Sequence, residues 1–324
     1  MFAPLTLIAI AFDAGLGYPS WLFARIGHPV SWIGRLITWC ERRWNGPEQS
    51  PQARRRKGIT TLVLCLGVTL GVSLALVSAV YWLLPFPVAI AVLALFASSL
   101  IAQNSLDDHV AAVAAALESG SLEAAREAIS RIVGRDPHAL DEAAIARAAI
   151  ESLAENFSDG VTAPTVWMVI GGLPGAALYK TINTADSMIG HRNDRYEAFG
   201  WASAKLDDLA NLPASRISAL SLAGAAALLP GGNASAALKA VGRDARQHRS
   251  PNAGWPEAAM AGALGLKLAG PRIYGGTRID DHWMGDGRVE AKAADIRRAL
   301  RLFRIAALLQ AGTVALLALL VFSL

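Results

Sequence analysis

Charge is scarce in this chain. Asp, Glu, Lys and Arg make up 17% of its 324 residues and apolar residues 53%, whereas an ordinary soluble domain carries about 25% charge. That excludes a disordered chain and places a large share of the protein in lipid. Cysteine is scarcer still, with only Cys40 and Cys65. Two thiols exclude a disulfide scaffold and a thiolate metal site, and Cys65 lies inside an apolar run, which argues against a structural disulfide. The net charge of +4 is too small to argue for nucleic acid. The chain has no collagen-like or coiled-coil pattern, alternating strand pattern, internal repeat or low-complexity tract. It also lacks a G-x-x-x-x-G-K-[ST] loop, a G-x-G-x-x-G fingerprint in strand–helix context, and any H-E-x-x-H or His/Cys set for zinc.

Long apolar runs are what it has. Residues 59–102 carry no charge and are too long for one span of about 20 residues. Tyr81-Trp82-Leu83-Leu84-Pro85-Phe86-Pro87 divides them, since prolines break helices and Tyr and Trp favour the lipid interface. The pattern predicts a transmembrane hairpin over 59–103, with helices near 59–80 and 86–103. Residues 302–324 predict a C-terminal transmembrane helix behind a basic anchor of Arg297, Arg298 and Arg301. Residues 214–229 read as a span or a buried helix. Residues 161–179 are apolar but interrupted by Gly171, Gly172, Pro174 and Gly175, which predicts a re-entrant or protein-buried segment. Residues 2–12 read as a retained first helix. The loop 41–58 holds Arg42, Arg43, Arg54, Arg55, Arg56 and Lys57 and is cytoplasmic by the positive-inside rule. The hairpin then returns residues 104–160 to the same side. These carry 11 acidic and 4 basic residues and predict a compact helical insert. Its first helix has Leu106, Val110, Val113 and Leu117 inward. A second follows Ser121 as N-cap, with Leu122, Ile129 and Ile132. A third starts near Asp141, with Ile145, Ala149 and Leu153. The fold class is therefore all-α: a polytopic integral membrane protein with about four to five membrane helices and a helical cytoplasmic-side insert. We read 1–324 as one membrane-embedded domain, with membrane-associated helices over 161–229, a polar loop at 180–211 and a polar region at 230–300.

Dense polar clusters accompany these segments, and such groups beside lipid are expensive unless functional. Glu151, Glu155 and Asp159 share one face if the helix persists, with Asn156 beside them. Lys180, Asn183, Thr184 and Asp186 lead into Gly190 to Tyr196. Lys205, Asp207, Asp208, Asn211 and Arg216 follow Trp201. His248 to Glu257 forms a further loop, and Tyr274, Gly275, Gly276 and Trp283 to Gly287 a last one. Carboxylates with Asn suit Mg²⁺. Arg192, Arg195 and Lys205 suit phosphate oxygens. Together they fit phosphoryl or acyl-phosphate chemistry. His28, between Gly27 and Pro29, reads as structural rather than catalytic, while His191 and His248 stay open between the two. Trp201, Trp255 and Trp283 offer a wall for a planar ligand, or simple interfacial packing.

Four stretches carry a family resemblance: Glu151-Ser-Leu-Ala-Glu-Asn-Phe-Ser-Asp-Gly160, Tyr179-Lys-Thr-Ile-Asn183-Thr-Ala-Asp186-Ser-Met188, Phe199-Gly-Trp-Ala-Ser-Ala-Lys205-Leu-Asp207-Asp208-Leu-Ala-Asn211, and Ser250-Pro-Asn252-Ala-Gly-Trp255-Pro-Glu257. With His28-Pro29-Val30 and Ile33-Gly34, they resemble the motifs of the adenosylcobinamide-phosphate synthase (CobD/CbiB) family over nearly the whole chain. The 41–57 loop and the last helix match in kind only. The resemblance implies a ligase of cobalamin biosynthesis in the cell's inner membrane. It would join a corrin-ring carboxylate of adenosylcobyric acid to aminopropanol or its O-phosphate, with ATP as cosubstrate and Mg²⁺. Corrinoid, amine and lipid bilayer are its implied partners, with other enzymes of the pathway a further option and no nucleic acid. On that footing Glu155, Asp159, Asp186 and Asp208 bind Mg²⁺ or orient the amine. Lys180, Arg192, Arg195 and Lys205 hold phosphate. Asn156, Asn183, Asn211 and Asn252 direct hydrogen bonds, and Trp255 lines the substrate site. Segments 151–160, 183–211 and 244–257 are expected to converge on one cytoplasmic-side cleft. Two rivals remain: a Mg-diphosphate-dependent transferase of the prenyltransferase type, reading Asn183-x-x-Asp186 and Asp207-Asp208-x-x-Asn211 as its motifs, and a non-catalytic corrinoid-binding membrane scaffold.

Overall fold

The computed structural model describes residues 2–133, 140–274 and 277–323. Gly275 and Gly276, part of the last polar loop, lie outside them. The chain begins with α1 (Ala3–Leu16), α2 (Ser20–Ile26) and α3 (Pro29–Trp44), followed by α4 (Pro51–Leu83) and α5 (Phe86–Ser98). Then come α6 (Gln103–Glu118), α7 (Leu122–Ser130) and α8 (Glu142–Asn156), a π-helical turn at Phe157–Thr162, and α9 (Ala163–Ile189). Next are α10 (Trp201–Ala210), α11 (Leu212–Leu228), α12 (Ala234–Asp244) and α13 (Gly254–Leu264). Short strands β1 (Leu268–Ala269), β2 (Arg272–Tyr274), β3 (Thr277–Ile279) and β4 (Trp283–Met284) precede α14 (Ala293–Ser323). The strands pair antiparallel, β1 with β4 and β2 with β3. They are too short to show the alternation by which strands are read from sequence.

Four helical stretches are long and apolar enough to cross a membrane: Pro51–Leu83, Phe86–Glu118, Glu142–Ile189 and Ala293–Val321. Ala3–Leu16 with Trp21–Trp44, bent by 103°, makes a fifth if the pair is one span. The all-α polytopic membrane class expected from the sequence is the one observed.

Two compact units divide the chain. The first holds residues 1–102, 163–211 and 314–324, and the second 103–162 and 212–313. In the first, the basic segment expected to be a loop over 41–58 is mostly helix. Arg42 and Arg43 sit in the last turn of α3, where cations favour the helix dipole. Arg54 to Lys57 lie in the first turns of α4, which starts at Pro51 with Ser50 Oγ accepting from Ala53 N. The core here gathers Ile37, Leu62, Cys65, Ala185, Ile189 and Phe199. Gly58 lets α4 pass against the Phe199 carbonyl, where a β-carbon would collide. α9 breaks at Gly172, whose φ of 62° and ψ of −151° are not helical, two residues before Pro174. This is a near glycine-only conformation, and the proline cannot donate to the turn before it.

In the second unit, Ser121 caps α7 and Asp141 caps α8 through side-chain oxygens, as the sequence predicted. Leu106, Val110, Val113 and Leu117 are buried, as are Ile129, Ile145, Ala149 and Leu153. Leu122 is not; it sits at the start of α7, 37% exposed. α13 is buried along nearly its whole length. Two of the three arginines expected to act as a basic anchor, Arg297 and Arg298, have protein partners, and so has Arg304. Arg297 forks onto Glu118 at 3.0 and 2.8 Å, and Arg304 onto Asp107 at 2.7 and 2.8 Å. Arg298 donates to the Gly231 carbonyl. These contacts stitch α14 to α6. In the same unit Gln310 Nε2 donates to Thr162 Oγ1 at 2.9 Å and Ser221 Oγ at 3.1 Å, which joins α14, the π-turn and α11.

Candidate functional site

Polar residues of the first unit gather between the second half of α9 and the C-terminal end of α10. Lys180, Asn183 and Asp186 follow one another by threes, so they share a stripe of α9. Asp207 of α10 is buried. It accepts from Asn211 Nδ2 at 3.0 Å and, more weakly, from Asn183 Nδ2 at 3.4 Å. Tyr179 donates its hydroxyl to Asn211 Oδ1 at 2.8 Å, which fixes the Asn211 amide with its NH₂ toward the carboxylate. Burial, then the neighbouring charge of Asp186, pushes the Asp207 carboxyl up to about 7, against the lowering pull of the two amides. Asp208, by contrast, is half-exposed, with Lys205 Nζ 4.0 Å away.

The reading from sequence chose Asp208 and passed over Asp207. The phase of α10 separates them: Ser203, Asp207 and Ala210 are buried, at the spacing of one helix face.

Around this cluster, Arg192 is exposed. Arg195 forks Nε and Nη2 onto Glu41 Oε1 at 2.9 and 2.7 Å, so it already has an anion. Its carboxylate partner holds the guanidinium above its usual pKa. Asn45 and Arg54 donate to the Arg195 carbonyl. Arg55 stacks 3.5 Å over the Trp201 ring, so that indole carries a cation on one face. His28 caps α3, Nδ1 accepting from Val30 N at 3.2 Å, the structural role expected of it.

In the second unit, Glu151, Glu155 and Asp159 do not form one equal face. α8 gives way to the π-turn at Phe157, where Thr162 Oγ1 reaches the Phe157 carbonyl five residues back. Glu151 is buried and accepts from Ala269 N at 3.0 Å. Glu155 is exposed and Asp159 intermediate. Asn156 donates to the Ser152 carbonyl. A π-turn of this kind is often found at functional sites.

The loop before α13 is tightly ordered. Ser250 Oγ accepts from Asn252 N and Ala253 N, both at 3.2 Å. Asn252 is buried; its Oδ1 accepts from Ser215 Oγ at 3.1 Å and Arg216 Nη1 at 2.8 Å. Arg216 lies 4.3 Å over the Trp255 ring. His248 Nε2 is 3.8 Å from Glu257 Oε1. Arg216 was read from the sequence as a member of the polar cluster after Trp201 but given no role of its own, because it is the one charge of an otherwise apolar helix. Among the described residues no three of His, Cys, Asp and Glu stand close enough to hold a metal ion.

An all-α chain with four or five candidate spans, and polar clusters of carboxylates, amides and guanidinium groups, defines a polytopic membrane protein rather than a soluble nucleotide-fold enzyme. A sequence profile described as CobD/Cbib protein matches residues 6–303, and the chain belongs to that family. It is 48% identical to the cobalamin biosynthesis protein CobD of Rhodobacter capsulatus over 303 residues, 94% of this chain and 93% of that one. Identity to the CobD of Rhizobium meliloti (strain 1021) is 50% over 303 residues, 92% and 91% of the two chains. The CobD of Brucella suis biovar 1 is 48% identical over 300 residues, 91% and 90%. No solved structure matches the chain. Family membership gives the protein a role in cobalamin biosynthesis, with a corrinoid substrate and a place in a membrane.

Proposed function

We propose that the chain is an acid–amine ligase that joins the corrin-ring carboxylate of adenosylcobyric acid to (R)-1-aminopropan-2-ol or its O-phosphate, at the cytoplasmic side of the inner membrane. The observation that supports this best is Asp207, a buried carboxyl poised near neutral pH between two amide side chains. Amide formation needs an activated acyl group and a free amine. ATP would convert the carboxylate into an acyl phosphate with release of ADP. The amine nitrogen then attacks the acyl carbon, the C–N bond forms and phosphate leaves. The proton lost by nitrogen goes to the Asp207 carboxylate, a base whose pKa near the working pH is the efficient one. Asp186 and Asp208 orient the ammonium form on its arrival. Asn183 and Asn211 hold Asp207 in place.

Phosphate would meet Lys180, Lys205 and Arg192. Arg195 is the weaker candidate, since Glu41 already occupies its fork. Within the second unit, taken by itself, Asn156 and Trp255 offer a hydrogen-bonding group and an aromatic face to a substrate, and Asn252 holds Arg216. Mg²⁺ commonly takes one or two carboxylates and completes its shell with water and substrate phosphate. Glu155 and Asp159 would hold it. Once bound, it would neutralise phosphate charge.

Replacing Asp207 or Asp208 by Asn is expected to abolish amide product while the protein still inserts and purifies. Full activity in either variant removes that residue from the site.

A further inference from the structure

Outside the α9–α10 cluster, Arg216 is a cation braced on one edge and one face. Its hydrogen bonds within the unit all leave from Nη1, to the Leu212 carbonyl at 3.2 Å, Ser215 Oγ at 2.9 Å and Asn252 Oδ1 at 2.8 Å. Its plane is held against Trp255 at 4.3 Å. Asn252 is in turn fixed by Ser215 and by the turn that Ser250 begins. Four groups therefore set the orientation of one guanidinium and leave its Nε–Nη2 edge outside these bonds. None of the four is an anion. A second guanidinium, Arg246, lies on the short 3₁₀ turn Ala245–Gln247, near enough to oppose the charge on Arg216. Burial and then that neighbour lower the pKa of Arg216. A guanidinium braced by neutral acceptors, with a second cation opposing its charge, is at lower energy with an anion beside it. A planar fork with one edge free matches two oxygens of a phosphate.

We infer that Arg216, braced by Asn252, Ser215 and Trp255 and accompanied by Arg246, is a receptor for a phosphate dianion. The choice of sources rests on the amide-ligase reading: the O-phosphate of the amine substrate, or a phosphate of the nucleotide. Phosphate is preferred to a carboxylate because two guanidinium groups match a dianion. The tetrahedral group also offers a third oxygen to Arg246 when two are taken by the fork of Arg216. Substrate chemistry gives this site a use in either case: the O-phosphate of the amine does not react, so its contact is spent on positioning, and a nucleotide phosphate would be oriented for transfer.

The test is calorimetric binding to the full-length protein in nanodiscs. The probes are aminopropanol O-phosphate, aminopropanol, and Mg²⁺ with a non-hydrolysable ATP analogue. The variants are Arg216→Lys, which keeps charge but loses the fork, and Arg246→Ala at an exposed position that leaves the core untouched. Arg216→Lys is expected to weaken a phosphate-bearing probe about tenfold, as the loss of a bidentate charge-assisted contact does. Arg246→Ala weakens it severalfold, and neither changes the affinity for aminopropanol. Weakening confined to the amine phosphate names that source, weakening confined to the nucleotide names the other, and weakening of both makes this a shared phosphate subsite. Unchanged affinities in both variants, or no binding of either phosphate probe to the unaltered protein, overturn the receptor. If Arg216→Lys fails to fold, Arg246→Ala and Asn252→Ala carry the same comparison. Amide product formed with phosphate affinities unchanged in the variants overturns the receptor and leaves the reaction standing. Weakened phosphate binding with no amide product from the unaltered protein does the reverse.

Discussion

Asp207 and Asp208 are neighbours in the chain and opposite in environment, and the chemistry follows the environment. Asp207 is buried beside Asp186 and holds its proton to about pH 7. An amine-attacking base must be ionised, so kcat/KM is expected to rise with pH through a limb near 7. Asn183→Ala removes a hydrogen bond that favours the carboxylate, and should move that limb to higher pH. Asp186→Asn removes a repulsion and should move it to lower pH. A profile flat across pH 6–8 in the unaltered protein, or unmoved by both changes, contradicts the assignment. Stability runs the other way. The folded carboxyl binds its proton more tightly than the unfolded one, whose ordinary value is 3.8. The stabilisation from this group is full below that value and lost as pH rises through about 7. The motif Lys205-Leu-Asp207-Asp208 was legible as a polar cluster, but which aspartate faces inward was not. That depended on the phase of α10, set by Ser203 and Ala210. The partners of Arg216 stayed hidden for a related reason: Asn252 lies 36 residues on and Trp255 just beyond it, and no local pattern links them.

Elements were easier to read than contacts. Caps and apolar periodicity located α6, α7 and α8, because each is amphipathic against its own neighbours. The basic segment at 41–58 was misread as a loop because its charges hid two helix ends, one at Trp44 and one at Pro51. The interruption in α9 was visible as Gly and Pro, and its hinge is Gly172. Gly172→Ala would force an L-residue into that conformation and bring its β-carbon to 3.1–3.3 Å from the Phe2 ring. The expected cost is about 1–3 kcal/mol, read as a lower thermal midpoint in detergent. An unchanged midpoint would show that the segment straightens without penalty. Gln310 is the polar tie of the second unit. Gln310→Leu removes the amide that donates to Thr162 and Ser221 and should cost about 1 kcal/mol, the net worth of hydrogen bonds whose hydroxyls keep their backbone acceptors. Gln310→Glu would keep the acceptor but not the NH₂ donor, and should rescue little. A Gln310→Leu protein as stable as the unaltered one would mean the hydroxyls find other partners.

Four or five candidate spans among the described residues place the protein in a membrane, and the proposed function puts the basic helix ends of α3 and α4 on the cytoplasmic side. The account places the polar turn at Asn193 and the loop at Asn252 each within reach of the cytoplasm, where ATP is. Single cysteines at either position are expected to react with an impermeant maleimide only when the cytoplasmic face is open. The native Cys40 and Cys65 are buried and give little background. Reaction of either from the opposite face would contradict the topology. Family membership was legible because its motifs are long and consecutive, whereas the reaction depends on groups that no motif orders in space. The most direct test supplies the purified protein in nanodiscs with adenosylcobyric acid, Mg-ATP and either aminopropanol or its phosphate, and follows products by mass spectrometry. The account predicts a corrinoid heavier by the amine less one water, formed only with ATP and lost in Asp207→Asn. Corrinoid bound by the unaltered protein, with no amide product under any combination, would contradict it.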